Sequence, residues 1–381
     1  MEAVRGWLRT TDAQLVGWTL LVKVFLFAWG LVMVALVDDR PVDIGQVFSI
    51  WNRWDAPHYL DVALFGYTDN DPGNLPMYSK LGDLDLFIVF YPLFPWATAV
   101  GLFFLPELVA PVMVSAVASV AAVLLLYRLV AREFGERIGK RAAVFMLIFP
   151  TAYFLHIGYT ESLFLAMVLG SFLAARTDRW WLAGLLGGLA ALTRVNGLIL
   201  IPALAAEAWL QWAEQRRWRL AWAWIGLVAV GFAGYLLVNY AVYGSPFEFL
   251  RIQSEHWYKS LAWPWEGIGG VVGWFENDDP MNVVMYGVTE LAAISLGLVG
   301  AVVAALRFRP GWFAWMTGNW LLFVSTSFVL SVPRYALTMF PLFAWFAQLA
   351  ERRWLGIVLG GVSLALLLWL SARFATGAWA Y

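Results

Sequence analysis

The chain contains no cysteine. That absence excludes a disulfide framework and any thiolate metal site, and it leaves the redox compartment unmarked. Charge is also scarce. Asp, Glu, Lys and Arg make up 13% of 381 residues and hydrophobic residues 62%, whereas soluble domains carry roughly 25% charged residues. The composition is that of a polytopic, all-α membrane protein. A net charge of −1 gives no sign of nucleic-acid binding, since in such a chain the distribution of charge matters more than its sum. A small-x-small cleavage signature is missing from Val34-Ala35-Leu36-Val37-Asp38. The first apolar run, preceded by Arg5 and Arg9, therefore reads as a retained signal anchor. Half-to-half repetition is missing too, which argues against a transporter built from repeats.

What is present is a series of apolar segments, beginning at residues 14–37 and ending at 354–372, several of them shorter than the ~20 residues a spanning helix needs. Basic residues cluster between them at Arg128–Arg141, Arg176–Arg179, Arg216–Arg219, Arg307–Arg309 and Arg352–Arg353. All these clusters, with Arg5 and Arg9, are expected on the cytoplasmic side. For that to hold, Phe87–Leu105, with Pro92, Pro95 and Pro106, must not cross; it is expected as a re-entrant or surface-lying pair of half helices beside a cavity. Residues 180–211 must split into two short crossings meeting at Thr193-Arg194-Val195-Asn196-Gly197. The count comes to about eleven crossings in a single domain spanning 1–381, with the N-terminus cytoplasmic and the C-terminus outside. Gly184 to Gly188 suits close helix packing.

Acids collect on the opposite face. Residues 38–86 form a first outer loop with Asp38, Asp39, Asp43, Asp55, Asp61, Asp69, Asp71, Asp83 and Asp85, and residues 243–282 form a second with Glu248, Glu255, Glu266, Glu276, Asp278 and Asp279. Solvated caps and an interfacial aromatic belt explain most of these acids and most of the 24 tryptophans. They do not explain the ionisable residues at helix ends facing the same side. Glu161 lies in Tyr159-Thr160-Glu161-Ser162, Arg194 interrupts an apolar run, and Arg334 follows Pro333. Such groups are costly and by default face a polar cavity. In the first loop, Trp54-Asp55-Ala56-Pro57-His58-Tyr59-Leu60 places a carboxylate and an imidazole three residues apart among aromatics.

Trp54-Asp55-Ala56-x-His58-Tyr59-Leu60 with Phe65-Gly66-Tyr67, followed by Phe90-Tyr91-Pro92-Leu93-Phe94-Pro95, resembles the signature of PIG-V-like mannosyltransferases, members of the GT-C superfamily of membrane glycosyltransferases. Three further elements follow in the family's order: Tyr159-Thr160-Glu161-Ser162-Leu163-Phe164, Thr193-Arg194-Val195-Asn196-Gly197, and Pro333-Arg334-Tyr335 with Phe340-Pro341-Leu342-Phe343. Val195 departs from the family's usual Ser. The resemblance implies a GT-C-like bundle that passes a hexose, mannose by analogy, from a polyprenyl-phosphate carrier to a hydroxyl on a glycan, glycolipid or protein acceptor. Inversion at the anomeric carbon is implied, at the outer surface of a prokaryotic plasma membrane.

Direct displacement needs a base near the acceptor oxygen and positive charge near the leaving phosphate. Asp55 is the candidate base, with Asp38 or Asp39 the alternative. Arg334, Arg194 and His58 are candidates for the donor phosphate, Arg being suited to bidentate phosphate contacts. Glu161, Tyr91, Asn196, Tyr335 and Trp54 are candidates for substrate contact. Each has a plainer reading: Asp55 as a helix cap before Pro57, His58 as an interface histidine, Arg194 and Glu161 as a buried structural ion pair. No protein cofactor is called for. Mg or Mn on the outer carboxylates stays open, without a spacing pattern that demands it. A transporter of a lipid-linked or anionic substrate is the alternative function.

Overall fold

The computed structural model describes residues 10–68 and 84–381. Arg5, Arg9, Asp69, Asp71 and Asp83 lie outside the described residues. The protein is all-α: among the described residues the sole β feature is an isolated antiparallel bridge between Leu261 and Thr326. In chain order the helices are α1 (Thr11–Val37), α2 (Ala56–Phe65), α3 (Leu93–Leu102), α4 (Ala110–Phe134), α5 (Glu136–Leu147), α6 (Glu161–Arg176), α7 (Trp180–Thr193), α8 (Leu200–Gln215), α9 (Gly226–Tyr243), α10 (Glu248–Trp257), α11 (Pro264–Gly273), α12 (Pro280–Asn282), α13 (Thr289–Arg307), α14 (Pro310–Val324), α15 (Val332–Ala336), α16 (Pro341–Leu349) and α17 (Arg353–Ala375).

Five stretches are long and apolar enough to cross a bilayer: Thr11–Val37, Ala110–Phe134, Leu220–Tyr243, Pro280–Arg307 and Arg353–Ala375. Their outer faces stay apolar and exposed, as at Leu21, Val24, Val230 and Ile357, which is what a lipid solvent allows. α1 begins where the Thr10 hydroxyl accepts the Ala13 N–H at 3.3 Å, satisfying one of its first free donors. The remaining apolar segments are built from shorter helices. Phe87–Leu105 holds no continuous helix long enough to span; a 3-10 stretch, Leu84–Val89, precedes the ten-residue α3. Residues 180–211 break where the sequence places the split: α7 ends at Thr193, Arg194 is extended (φ −158°, ψ 149°), and a 3-10 turn, Val195–Ile199, leads into α8.

Two backbone contacts explain why glycine stands where it does. A Cβ on Gly188 would come 2.6 Å from the Leu227 carbonyl oxygen, so α7 and α9 pack backbone against backbone. A Cβ on Gly197 would come 2.6 Å from the Ala190 carbonyl carbon, so the chain can double back under α7 only with hydrogen there.

The basic clusters gather at one end of the bundle. Arg176 binds Glu133 at 2.5 Å, Arg309 binds the buried Glu207 at 3.0 Å, and Arg128 binds Asp12 at 2.6 Å. A cavity of about 520 Å³ is lined there by Phe134, Ile138, Arg307, Gln348, Glu351 and Arg352. The other end carries the irregular segments: the stretch between α5 and α6, the break at Arg194, and the turn before α15. Residues 151–160 are wholly buried although they hold no α-helix, only the short 3-10 helix Ala152–Leu155 and turns. Their backbone is satisfied by short-range bonds such as Phe154 N–H to Thr151 O (3.1 Å) and His156 N–H to Tyr153 O (2.9 Å). Irregular backbone survives at such depth only against protein or a cavity.

Candidate active site

Asp55 is delivered by a strained turn. Trp54 adopts a left-handed backbone (φ 58°), a conformation that costs a non-glycine residue and persists only where its surroundings enforce it. Those surroundings are Tyr159, whose hydroxyl donates to Arg53 O at 2.8 Å and accepts from Asp55 N–H at 3.2 Å, and Trp379, whose ring meets Trp54 edge to face at 4.9 Å. Asp55 occupies the N-cap position of α2, with Pro57 in the first turn, yet its carboxyl makes no capping bond. The carboxyl instead accepts from Arg334 Nη1 at 2.5 Å.

Arg334 joins the cluster. Its Nε donates to Glu161 Oε1 at 2.5 Å, and its guanidinium lies between the rings of Phe154 and Tyr159, at 4.8 and 4.6 Å from their centroids. The same Glu161 oxygen accepts from Arg194 Nη1 at 2.5 Å, and Arg194 Nη1 also donates to Thr160 Oγ1 at 2.8 Å. Arg194 sits over the Tyr335 ring at 5.3 Å, and Lys259 Nζ over the same ring at 5.4 Å. Two carboxyls and two guanidiniums from widely separated stretches of chain thus form one network. An arginine in the first turn of a helix opposes the dipole unless an anion is near; the anions beside Arg334 are Asp55 and Glu161.

Exposure ranks the members. The side chains of Glu161, Arg334 and Arg194 are 0%, 5% and 16% exposed, whereas that of Asp55 is 33% exposed. Asp55 is the carboxyl that a molecule from outside reaches first. Burial pushes its pKa up, but the charge and hydrogen bond of Arg334, with the charges of His58 and Arg194, outweigh that, and its carboxyl lies below the usual value. Glu161 Oε2 is buried without a hydrogen-bond partner among the described residues.

The other candidates are placed as follows. His58 lies between the rings of Phe87 and Phe90, at 4.8 and 5.0 Å. Burial lowers its pKa, the charge of Asp55 opposing only in part, and its Nδ1 has no partner among the described residues. Tyr335 borders the network. Tyr91 stacks on Tyr235 at 3.9 Å, its buried hydroxyl unpartnered among the described residues. Asn196 is not brought to the network: it is 3% exposed and its Nδ2 donates to Asn319 Oδ1 at 2.9 Å inside the bundle. Asp38 lies apart, paired with Arg40 at 2.9 Å in a polar cavity of about 280 Å³ that Arg53 and Thr376 also line.

Three contributors were not among the sequence candidates: Tyr159, Phe154 and Lys259. Tyr159 stands in the motif that contains Glu161 and so carried a signal; Lys259 and Phe154 carried none, because their contacts are set by the packing of distant segments. The described residues bring together no group of three or more carboxylate or histidine ligands.

Residues 92–238 match the family described as dolichyl-phosphate-mannose-protein mannosyltransferase. The match includes Glu161 and Arg194 and leaves out Asp55 and Arg334. No curated protein matches by sequence. Among solved structures, ArnT from Cupriavidus metallidurans bound to undecaprenyl phosphate is 17% identical, with a TM-score of 0.50 over 92% of this chain and 60% of that one. The oligosaccharyltransferase AglB from Archaeoglobus fulgidus, in complex with an inhibitory peptide and a dolichol-phosphate, is 15% identical, with a TM-score of 0.46 over 96% of this chain and 56% of that one. The chain therefore spans about three fifths of the length of these proteins. By fold and by its partial family match, the chain resembles the GT-C superfamily of membrane glycosyltransferases, as its motifs led one to expect.

Proposed function

We propose that the protein is a membrane glycosyltransferase that moves a hexose, mannose in the first instance, from a polyprenyl-phosphate carrier to a hydroxyl acceptor. The observation that carries this reading is the network of Asp55, Arg334, Glu161 and Arg194, in which Asp55 alone keeps a third of its side chain open. The mannosyltransferase family match and the undecaprenyl phosphate held by the structurally similar ArnT support the choice of donor.

The chemistry follows from the arrangement. The acceptor hydroxyl attacks the anomeric carbon from the face opposite the phosphate, its proton passes to the Asp55 carboxylate, and the bond between the anomeric carbon and the phosphate oxygen breaks with inversion. The polyprenyl phosphate leaves with added negative charge. Arg194, the more open of the two arginines, and Arg334 neutralise that charge, with His58 as a further donor at the rim. Glu161 holds both guanidiniums through one oxygen and keeps the other free for a sugar hydroxyl. Trp54, Tyr91 and Tyr335 supply the aromatic walls. The basic end of the bundle lies in the cytoplasm, following the distribution of Lys and Arg, so the site faces outward from a prokaryotic plasma membrane.

Purified protein in lipid nanodiscs is supplied with polyprenyl-phosphate-mannose, polyprenyl-phosphate-glucose and a panel of glycan and glycolipid acceptors. Transfer from the mannosyl donor that disappears in Asp55→Asn, with protein yield unchanged, is expected. Donor consumption at the native rate in Asp55→Asn removes Asp55 from the chemistry, and no transfer from either donor removes the reading.

A further inference from the structure

Arg334 owes its position to a turn that its own helix cannot hold. Ser331 has a left-handed backbone (φ 72°) although it is not a glycine, and α15, which follows, has only five residues with Pro333 in its first turn. The first N–H groups of any helix lack a carbonyl partner within it. Here the N–H groups of Ser331 and Val332 donate to the two carboxyl oxygens of Glu290, at 2.6 and 2.9 Å. Glu290 is fully buried in α13, two residues after a π-helical stretch, Val283–Val288. An ionisable side chain in an apolar membrane-length helix is costly and calls for a reason, and π-helical turns concentrate near functional sites. Thr289 Oγ1 closes that stretch by donating to Met285 O at 2.7 Å, which fixes the level at which Glu290 meets the turn. From the other side Thr151 Oγ1 donates to Pro333 O at 2.9 Å. The turn is thus clamped on both flanks, three residues before the guanidinium that meets Asp55 and Glu161.

We propose that Glu290 is a positioning residue of the site. By accepting both N–H groups of the left-handed turn, its carboxyl sets the direction from which Arg334 reaches Asp55 and Glu161, without touching substrate. The inference rests on the reading of Arg334 as part of the transfer site. A carboxyl that merely stabilised the fold would lower stability when changed but would act independently of Arg334.

The test uses the full chain in nanodiscs, with amide hydrogen exchange read by mass spectrometry and mannosyl transfer read separately. In Glu290→Gln, one acceptor oxygen is replaced by an NH2 group facing an N–H donor. Exchange across residues 330–333 is expected to quicken about 10-fold while α14 is unchanged, and turnover to fall about 10-fold. In an Arg334→Lys background the same change is expected to alter turnover less than about 2-fold, because the group it positions has already been replaced. Unchanged exchange at Ser331 and Val332, or an equal loss of turnover in both backgrounds, overturns the proposal. If Glu290→Gln does not fold, the native protein decides: the proposal falls if its Ser331 and Val332 amides exchange as fast as that of exposed Asp278. The exchange result needs no turnover, so failure of the transfer reading and failure of this one are seen separately.

Discussion

Asp55 and Arg334 carry different burdens, and their substitutions separate chemistry from stability. Asn in place of Asp55 keeps the size of the side chain and loses the proton acceptor, so kcat for transfer should fall by about 10²–10⁴-fold in an assay at saturating donor. Met in place of Arg334 strands Glu161, which is 0% exposed, with Arg194 as its remaining counter-charge. The folded state should lose about 3–5 kcal/mol, visible as a lowered Tm in detergent. The pH dependence follows from the sign of the Asp55 shift. A carboxyl whose folded pKa lies below its ordinary value contributes stability above that value and loses the contribution as pH falls through the folded pKa. Asp55 should therefore be ionised at every pH above about 4, and kcat/KM, which reports the free enzyme, should show no acid limb between pH 5 and 7 from this residue. An acid limb in that range that survives His58→Gln points to a different base.

Helices α6 and α7 show how short elements serve a site that long ones would miss. Both link the basic end to the site end and go no further, α6 beginning at Glu161 and α7 ending at Thr193, so Glu161 and Arg194 meet at the mouth instead of being carried past it. The close approach of α7 to α9 keeps Arg194 at that level. Gly188→Val should push Leu227 O away and cost about 1–3 kcal/mol of stability, read as a lower Tm. At the opposite end, Glu207 takes both Nε and Nη2 of Arg309, at 3.0 Å for its nearer oxygen in each case; it ties α8 to the start of α14, far from the chemistry. Glu207→Gln should lower Tm without changing the donor KM, a split that distinguishes this buried acid from Glu161.

At the scale of the whole molecule the bundle is polarised, basic pairs at one end and the Asp55 network at the other. The absence of cysteine makes the orientation measurable. Single substitutions Trp263→Cys, in the exposed segment before α11, and Arg352→Cys, at the basic end, give reporters against a blank background. A membrane-impermeant maleimide added to intact cells is expected to label the first, and the second only after the membrane is opened; the reverse pattern would turn the site to the cytosol. The fold likeness to ArnT covers 92% of this chain and three fifths of that protein.

Composition and order of residues determined a good deal by themselves: the membrane class, the segregation of basic clusters from acidic loops, the break at Arg194, and the expectation that Glu161, Arg194 and Arg334 open to the same side as Asp55 and His58. These follow from local rules, namely hydropathy, charge placement and the cost of an ionisable side chain in an apolar run. Tertiary structure decided what those rules cannot reach. Asp55 could cap α2 as readily as face a partner, and only the approach of Arg334, 279 residues away along the chain, settles that its carboxyl does not cap. Asn196 sits in a promising motif, yet Asn319 takes its amide. Phe154, Tyr159 and Glu290 position Arg334 through contacts between segments that no periodicity links, because a side chain's partner is fixed by how helices pack, and packing depends on every neighbour at once.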